Sequence, residues 1–331
     1  MAWSRITKPN DSTTNWLEPD ALAPLAEPME IRAALQQGIT QLRAANVSAY
    51  TLAAELLLLH SVAKERAWLY AHPEEQLSAQ QQEQFLSLIA RRAAGEPVQH
   101  LTGHQEFWGL DFAVNPDVLI PRPETEHLIE VTLDRLALHE VRSGRPQTTD
   151  GAGMFIADVG TGSGCIAIAL AKELPQARFF ACDISAAALT VARRNAERQG
   201  VSDRIHFSHG NLLDDAHACS GQSQRFDAIV SNPPYIGKRE AASLEREVRD
   251  HEPASALFGD EEGYESYGPL IAQSAERLNP GGLLVLELGY NSLAAVQPLL
   301  REPPWSYVSV TNDLAGIARV IAAERAGKNA A

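Results

Sequence analysis

The 331-residue chain is 45% hydrophobic and 21% charged, with 22 Gly and 19 Pro in no repeating period, values that exclude a fibre or a disordered polymer and allow about two domains. Its 42 acidic against 28 basic side chains leave a formal charge of −14, which excludes bulk attraction for a nucleic-acid backbone, because such binding rests on Lys and Arg displacing condensed counterions. Cys165, Cys182 and Cys219 form no CxxC or Cys/His spacing, so the reading is a reduced, cytoplasmic protein with no metal site. The longest apolar runs, such as Leu56 to Leu59 and Leu283 to Leu286, fall far short of the roughly 20 residues of a membrane span. The first sixteen residues lack an apolar signal core.

In chain order, residues 1 to 28 hold Pro9, Pro19, Pro24 and Pro28 without periodicity and predict an irregular extension. From Met29 to about residue 95, Ile31, Leu35, Ile39 and Leu42, then Leu52, Leu56 and Leu59, then Phe85, Leu88 and Ile89 recur at helical spacing and predict a small helical domain. Val98 to Val114 turns to aromatic and β-branched residues around Gly103 and Gly109, which predicts a hairpin within a linker over 96–122. A helix is expected from Pro123, followed by the linker-like SGRPQTTDGAG of residues 143 to 153. Thereafter strands at Met154–Val159, Arg178–Asp183, Phe226–Val230 and Leu283–Leu288 alternate with helices at Ile166–Glu173 and Ser185–Gln199. That alternation predicts an α/β domain over 123–331 with a mostly parallel sheet covered on both faces.

DVGTGSG, Asp158 to Gly164, falls where a strand ends and a helix begins. Gly160, Gly162 and Gly164 let backbone turn tightly and approach a ligand; a plain strand-to-helix turn is the competing explanation. Asp183 ends the next strand about 20 residues further on, where a ribose-binding acid is expected. A nicotinamide cofactor and S-adenosylmethionine then compete; Asp158 at the head of the loop, with small Thr161 and Ser163 between glycines, resembles the Rossmann-like methyltransferases that use S-adenosylmethionine. In that class the turn HGNLLDD would place Asn211 or Asp214 at the adenine; a simple turn is the alternative.

SNPPYI follows the fourth strand. Pro and Asn also suit a stiff strand exit, yet after the glycine loop and Asp183 the tetrapeptide speaks for chemistry. A planar NH₂ has its lone pair delocalised and attacks a methyl sulfonium poorly unless acceptors hold both hydrogens. Asn232 Oδ1 and the Pro233 carbonyl are candidate acceptors, proline stiffening aims that carbonyl, and Tyr235 offers a face for stacking. Asn232, Pro233 and Tyr235 are therefore the candidate catalytic residues. An amide or exocyclic nitrogen is the implied target, in protein glutamine or in a DNA base. A DNA enzyme needs a basic cleft and usually a target-recognition domain, which a small, non-basic helical domain does not supply.

From about Leu35 to Arg319 the sequence resembles the glutamine methyltransferases that modify peptide chain release factors. GEPVQHLTGHQEFWGLDFAV, VLIPRPETE, DVGTGSGCIAIALA, SNPPYI, HEPASALFGDEEGYESY, NPGGLLVLELGY and NDLAGIARV carry the match in order. The resemblance implies a seven-stranded class I methyltransferase domain behind a helical domain and a connecting β-hairpin. It implies N5-methylation of the glutamine in the Gly-Gly-Gln loop of class I release factors, with S-adenosylmethionine as cofactor and no nucleic acid, membrane or second subunit as partner. On this reading Gly160 to Gly164 cradle the cofactor's methionine part, Asp183 the ribose, and Asn211 and Leu212 the adenine, where an Asp and a bulky aromatic are more usual. Asn232 lies beside both ligands. Asn232, Pro233, Pro234 and Tyr235 bind the substrate glutamine, with Arg122 and Glu126 of PRPETE at the pocket mouth or, alternatively, in a plain helix start with first-turn acids. A ribosomal-protein glutamine is the second candidate substrate, and a noncatalytic cofactor-binding module a further alternative. Phe107 and Trp108 are expected to pack, Cys165 to be small and buried, and His251 and Glu252 to lie in a solvated loop or near the substrate.

Overall fold

The computed structural model describes residues 28–143, 150–214 and 225–327; nearly all of the expected N-terminal extension and most of the SGRPQTTDGAG linker lie outside them. Helices α1 (Ile31–Ala44), α2 (Tyr50–Val62), α3 (Arg66–Ala71) and α4 (Ala79–Ala93) form the first domain; Ile31, Leu42, Phe85, Leu88 and Ile89 are buried as their spacing predicts, whereas Leu52 and Leu56 are exposed, because α2 turns Ala53, Ala54, Leu57 and Leu58 inward instead. Ile31, Leu42, Leu57, Leu58, Phe85 and Ile89 share one core. At Gly38 of α1 a Cβ would stand 2.8 Å from the Phe85 ring, so the missing side chain lets α1 close on α4. Ser78 and Gln81 form a reciprocal capping box at the start of α4, which satisfies two otherwise orphaned amides.

The hairpin is shorter than the sequence suggested. Val98–Thr102 forms helix α5, launched by Pro97 and ended by Gly103 in the left-handed conformation, as proline before and glycine after a helix favour. Only β1 (His104–Phe107) and β2 (Leu110–Ala113) pair. Phe107 and Phe112 turn fully inward onto the core of the second domain, and the Trp108 indole donates to Glu173 Oε1 at 2.8 Å. A 3₁₀ turn over Pro123–Thr125 then opens α6 (Glu126–Ser143).

The second domain is a seven-stranded sheet in the order β5-β4-β3-β6-β7-β9-β8. Its strands are β3 (Phe155–Val159), β4 (Arg178–Asp183), β5 (Ile205–His209), β6 (Phe226–Ser231), β7 (Leu278–Glu287), β8 (Trp305–Asn312) and β9 (Ala318–Arg325). β3 to β7 are mutually parallel, and β9 runs antiparallel to both of its neighbours. All five residues of β3 are buried, as a strand covered by helices on both faces requires. Helix α7 (Cys165–Glu173) buries every residue of its CIAIALA run, and its small Ala and Cys side chains let it lie close to the sheet. Helix α8 (Ala186–Arg198) is capped by the Ser185 hydroxyl, which accepts from Ala188 N. Helices α9 (Arg246–His251), α10 (Ala254–Leu257), α11 (Tyr267–Arg277) and α12 (Leu293–Val296) complete the domain. Its strand order reverses between β3 and β6, the place where open α/β sheets hold ligands beyond their carboxyl ends. Buried Arg92 of α4 pairs with Glu247 of α9 at 2.5 Å and ties the helical domain to the sheet domain.

Candidate active site

A cavity of about 270 Å³ opens at that reversal, lined by Gly160 and Gly162 after β3, Asp183 and Ile184 after β4, Asn211 and Leu212 after β5, and Asn232, Pro233 and Pro234 after β6. The glycine loop is held from beneath. Asp158 is wholly buried; its Oδ2 accepts from the Thr161 hydroxyl at 2.6 Å and from Ala167 N at 3.1 Å. Burial pushes this carboxyl up to about 7, with those hydrogen bonds pulling the other way. Gly160 and Gly162 have φ of 72° and 54°, and a Cβ on either would meet only open space, so the loop offers a ligand bare backbone. Asp183 Oδ2 accepts from Gly162 N and Oδ1 from Ser185 N, both at 2.8 Å. Its carboxylate thus braces the loop while lining the cavity.

Not every expected loop residue reaches the cavity. A Cβ on Gly164 would meet Ile168 at 3.0 Å and Ala192 at 3.2 Å, so this glycine serves helix packing, and neither it nor Asp158 is among the lining residues. Thr161 and Ser163 are buried and border only a small adjoining hollow that also touches Arg122, Thr125 and Asn232. In the turn after β5 Leu212 takes a left-handed conformation, φ 51°, and the Cys182 thiol donates to its carbonyl. Burial pushes the Cys165 thiol up to about 12, and the side chain packs in the core as its sequence context suggested.

The SNPPYI loop is clamped by segments far away in sequence. Ile236 N donates to the Leu257 carbonyl and Gly259 N to the Ile236 carbonyl, each at 3.0 Å. The Ser266 hydroxyl donates to the Pro234 carbonyl at 3.0 Å. Gly259 and Gly263 press so closely on this loop that side chains there would collide with the Pro234 and Tyr235 carbonyls. Asn232 Nδ2 donates to Thr125 Oγ1 at 3.1 Å. The Tyr235 hydroxyl donates to Glu287 Oε1 at 3.3 Å; burial and this neighbouring carboxyl hold the phenol above its usual range. Glu287 ends β7, 2% exposed, and burial pushes it up to about 7 against the pull of the Thr125 and Tyr235 hydroxyls.

At the pocket mouth the expected lining role of Glu126 gives way to the alternative, a helix start with first-turn acids. Glu126 lines neither hollow beside Asn232; its carboxylate accepts from the Trp108 amide at 2.8 Å and anchors the hairpin to the start of α6. Glu252 is not in a solvated loop: it is 6% exposed, accepts from Ile120 N at 3.1 Å and pairs with Arg122. Arg122 does border the small hollow beside Asn232, held there by that pair.

Residues 33–103 match the PrmC N-terminal domain family and residues 147–248 the methyltransferase small domain family. A release factor glutamine methyltransferase of Koribacter versatilis is 44% identical over 293 residues, covering 88% of this chain and 98% of the relative. One from Nitratidesulfovibrio vulgaris is 41% identical, covering 88% and 94%. The chain belongs to the release factor glutamine methyltransferase family. Its class I methyltransferase fold recurs in the hMettl16 catalytic domain solved in complex with the MAT2A 3'UTR hairpin 6, at 20% identity and TM-score 0.51 over 72% of this chain and 82% of that one. Among the described residues of this release factor glutamine methyltransferase, no helix is long and apolar enough to cross a membrane. Thr125 and Glu287 escaped the sequence reading as site residues. The signal for Glu287 was present: a lone carboxyl at the end of the apolar run LLVLE.

Proposed function

We propose that this methyltransferase transfers a methyl group from S-adenosylmethionine to N5 of the glutamine in the Gly-Gly-Gln loop of class I release factors, in the compartment where translation ends. The observation that carries the reading is the Asn232 carboxamide, turned with Nδ2 to Thr125 at the rim of the glycine-lined cavity. The residues present fit the cofactor. Two Cβ-free positions border open space for a tightly seated chain, Asp183 supplies an acceptor for ribose hydroxyls, and Ile184, 61% exposed, supplies an apolar face for a base. Gly160 and Gly162 would hold the methionine part, Asp183 the ribose, and the Asn211-Leu212 turn the adenine. When bound, S-adenosylmethionine supplies an electrophilic methyl on a sulfonium.

The chain's own residues do the rest by positioning. With Nδ2 engaged by Thr125, Asn232 directs Oδ1 to the substrate, and the Pro233 carbonyl supplies the second acceptor. Two acceptors hold both hydrogens of the glutamine NH₂ and turn the nitrogen toward the methyl group. The Pro234 carbonyl is already taken by Ser266, which fixes the direction of its neighbour. Tyr235 gives the flat amide a stacking face. Preorganised dipoles and alignment then supply the rate, and the nitrogen loses its extra proton only after it has been methylated, so no strong base is needed.

The test is transfer of labelled methyl to three acceptors in parallel: a release factor, a glutamine-bearing ribosomal protein and unmethylated DNA. A single methyl on the Gly-Gly-Gln glutamine, lost when that Gln is replaced, is expected. Label in the ribosomal protein or the DNA alone overturns the substrate assignment.

A further inference from the structure

We infer that Thr125 and Glu287, which lie outside the SNPPYI loop, set which way the Asn232 carboxamide faces and are positioning residues for methyl transfer. The inference rests on the function proposed above. A carboxamide has a donor end and an acceptor end of nearly equal shape, and only the acceptor end can hold a glutamine NH₂. Flipped, Asn232 would present its own NH₂ to the substrate's, donor against donor. The loop itself contains nothing that chooses between the two orientations.

The choice is made from behind. Asn232 Nδ2 lies 3.1 Å from Thr125 Oγ1, but a threonine hydroxyl both donates and accepts and by itself would welcome either end of the amide. Its preference depends on where its single hydrogen goes. Glu287 faces Thr125 and Tyr235 together, and the Tyr235 hydroxyl donates to Oε1. Glu287 Oε2 is buried and has no hydrogen-bond partner within the ordinary distance, so in the ionised carboxylate, the form present above about pH 7, it is the acceptor toward which the Thr125 hydrogen can turn. Once that hydrogen is committed to Glu287, Thr125 Oγ1 can only accept, and Asn232 must offer Nδ2. The polarity of the chain thus runs from Asn232 through Thr125 to Glu287, and Oδ1 is left facing the pocket. Thr125 is 2% exposed and Glu287 2%, so water does not compete for either group. The three residues come from the turn before α6, from the end of β6 and from the end of β7, joined only by the fold.

Thr125→Val keeps the shape and removes the hydroxyl; Glu287→Gln keeps the shape and adds a donor that frees the threonine hydrogen. Each is expected to lower kcat for release factor methylation at least about tenfold, equivalent to about 1.4 kcal/mol. KM for the release factor and the calorimetric Kd for S-adenosylmethionine should stay within about twofold, and Thr125→Ser should restore kcat. A second reading needs no substrate. In protein labelled with ¹⁵N-asparagine, the side-chain amide signal of Asn232, assigned by its loss in Asn232→Ala, should move in Thr125→Val and Glu287→Gln and stay in place in Thr125→Ser. If Thr125→Val does not fold, Glu287→Gln carries both measurements. A kcat within twofold of wild type in a folded Thr125→Val or Glu287→Gln variant overturns the inference, as does a loss of kcat with the Asn232 signal unmoved. If the wild type transfers no methyl to release factor, the proposed function falls, and the amide signal still decides the role of Thr125 and Glu287.

Discussion

The two loops that meet at the cavity are made rigid in opposite ways. DVGTGSG gains its shape from glycine conformations and from partners nearby in the chain: Thr161 and Ala167 on Asp158, and Asp183 on Gly162. SNPPYI gains its shape from proline and from partners far away: Thr125, Leu257, Ser266 and Glu287. The first is a self-contained ligand cradle, while the second is assembled by the whole domain. A glycine loop should therefore fail locally, through cofactor affinity, and the proline loop should fail at a distance, through turnover.

Removing the reactive amide marks the far end of that contrast. Asn232→Ala should cut single-turnover methyl transfer by about 10²-fold or more while calorimetry shows cofactor affinity nearly unchanged; an equal loss of affinity would erase the distinction between the loops. Gly259→Ala acts on the same loop without touching a reacting group. A Cβ there would stand 2.5 Å from the Gly263 carbonyl and closer still to that of Pro234. The displaced backbone should lower kcat about 10- to 100-fold and cost about 1–3 kcal/mol of stability by chemical denaturation. Gly162→Ala tests the other side. At φ 54° the substitution should cost about 1 kcal/mol of stability, and it should weaken S-adenosylmethionine binding about tenfold with kcat at saturation largely kept.

The smallest expected effect lies in the pH dependence. Asp158 and Glu287 each sit under one of the loops, and burial raises both carboxyls to about 7, above their range in an unfolded chain. A raised carboxyl binds its proton more tightly in the folded state. Its contribution is full below about pH 4 and is lost as pH rises through about 7. Tm by calorimetry should fall between pH 5.5 and 8.5, and Asp158→Asn and Glu287→Gln should each flatten the slope. A slope unchanged in both variants would assign the effect to the general acidity of the chain.

How much of this was readable in sequence follows from the same contrast. β4 spans Arg178 to Asp183 as its pattern predicts, and β3 and α8 agree to within a residue or so, because buried strands and capped helices announce themselves locally. β7 was read only from Leu283, yet it reaches back to Leu278 through Asn279, Pro280, Gly281 and Gly282; turn residues masked a strand that continues past an irregularity in its pairing with β6. Gly164 was assigned to the ligand because spacing cannot tell a glycine that faces a cavity from one pressed against Ala192. The partners of Glu126 and Glu252 were unreadable for a related reason: side chains 130 residues apart, such as Arg122 and Glu252, meet only through tertiary structure. The residues that line the cavity stand in local patterns whose chemistry can be read, whereas Thr125 and Glu287 gain their neighbours only through the fold.

β9, the last strand described, does not lie at the edge of the sheet but is inserted between β7 and β8. During synthesis, therefore, β7 emerges with one flank unpaired, and the sheet cannot be completed until Ala318–Arg325 has left the ribosome. Such late, non-local pairing slows folding and leaves strand edges open to wrong partners in the interval. A nascent chain halted before Ala318 would hold Glu287 on a strand still lacking its neighbour, so methyl-transfer competence should arrive abruptly, with the final strand.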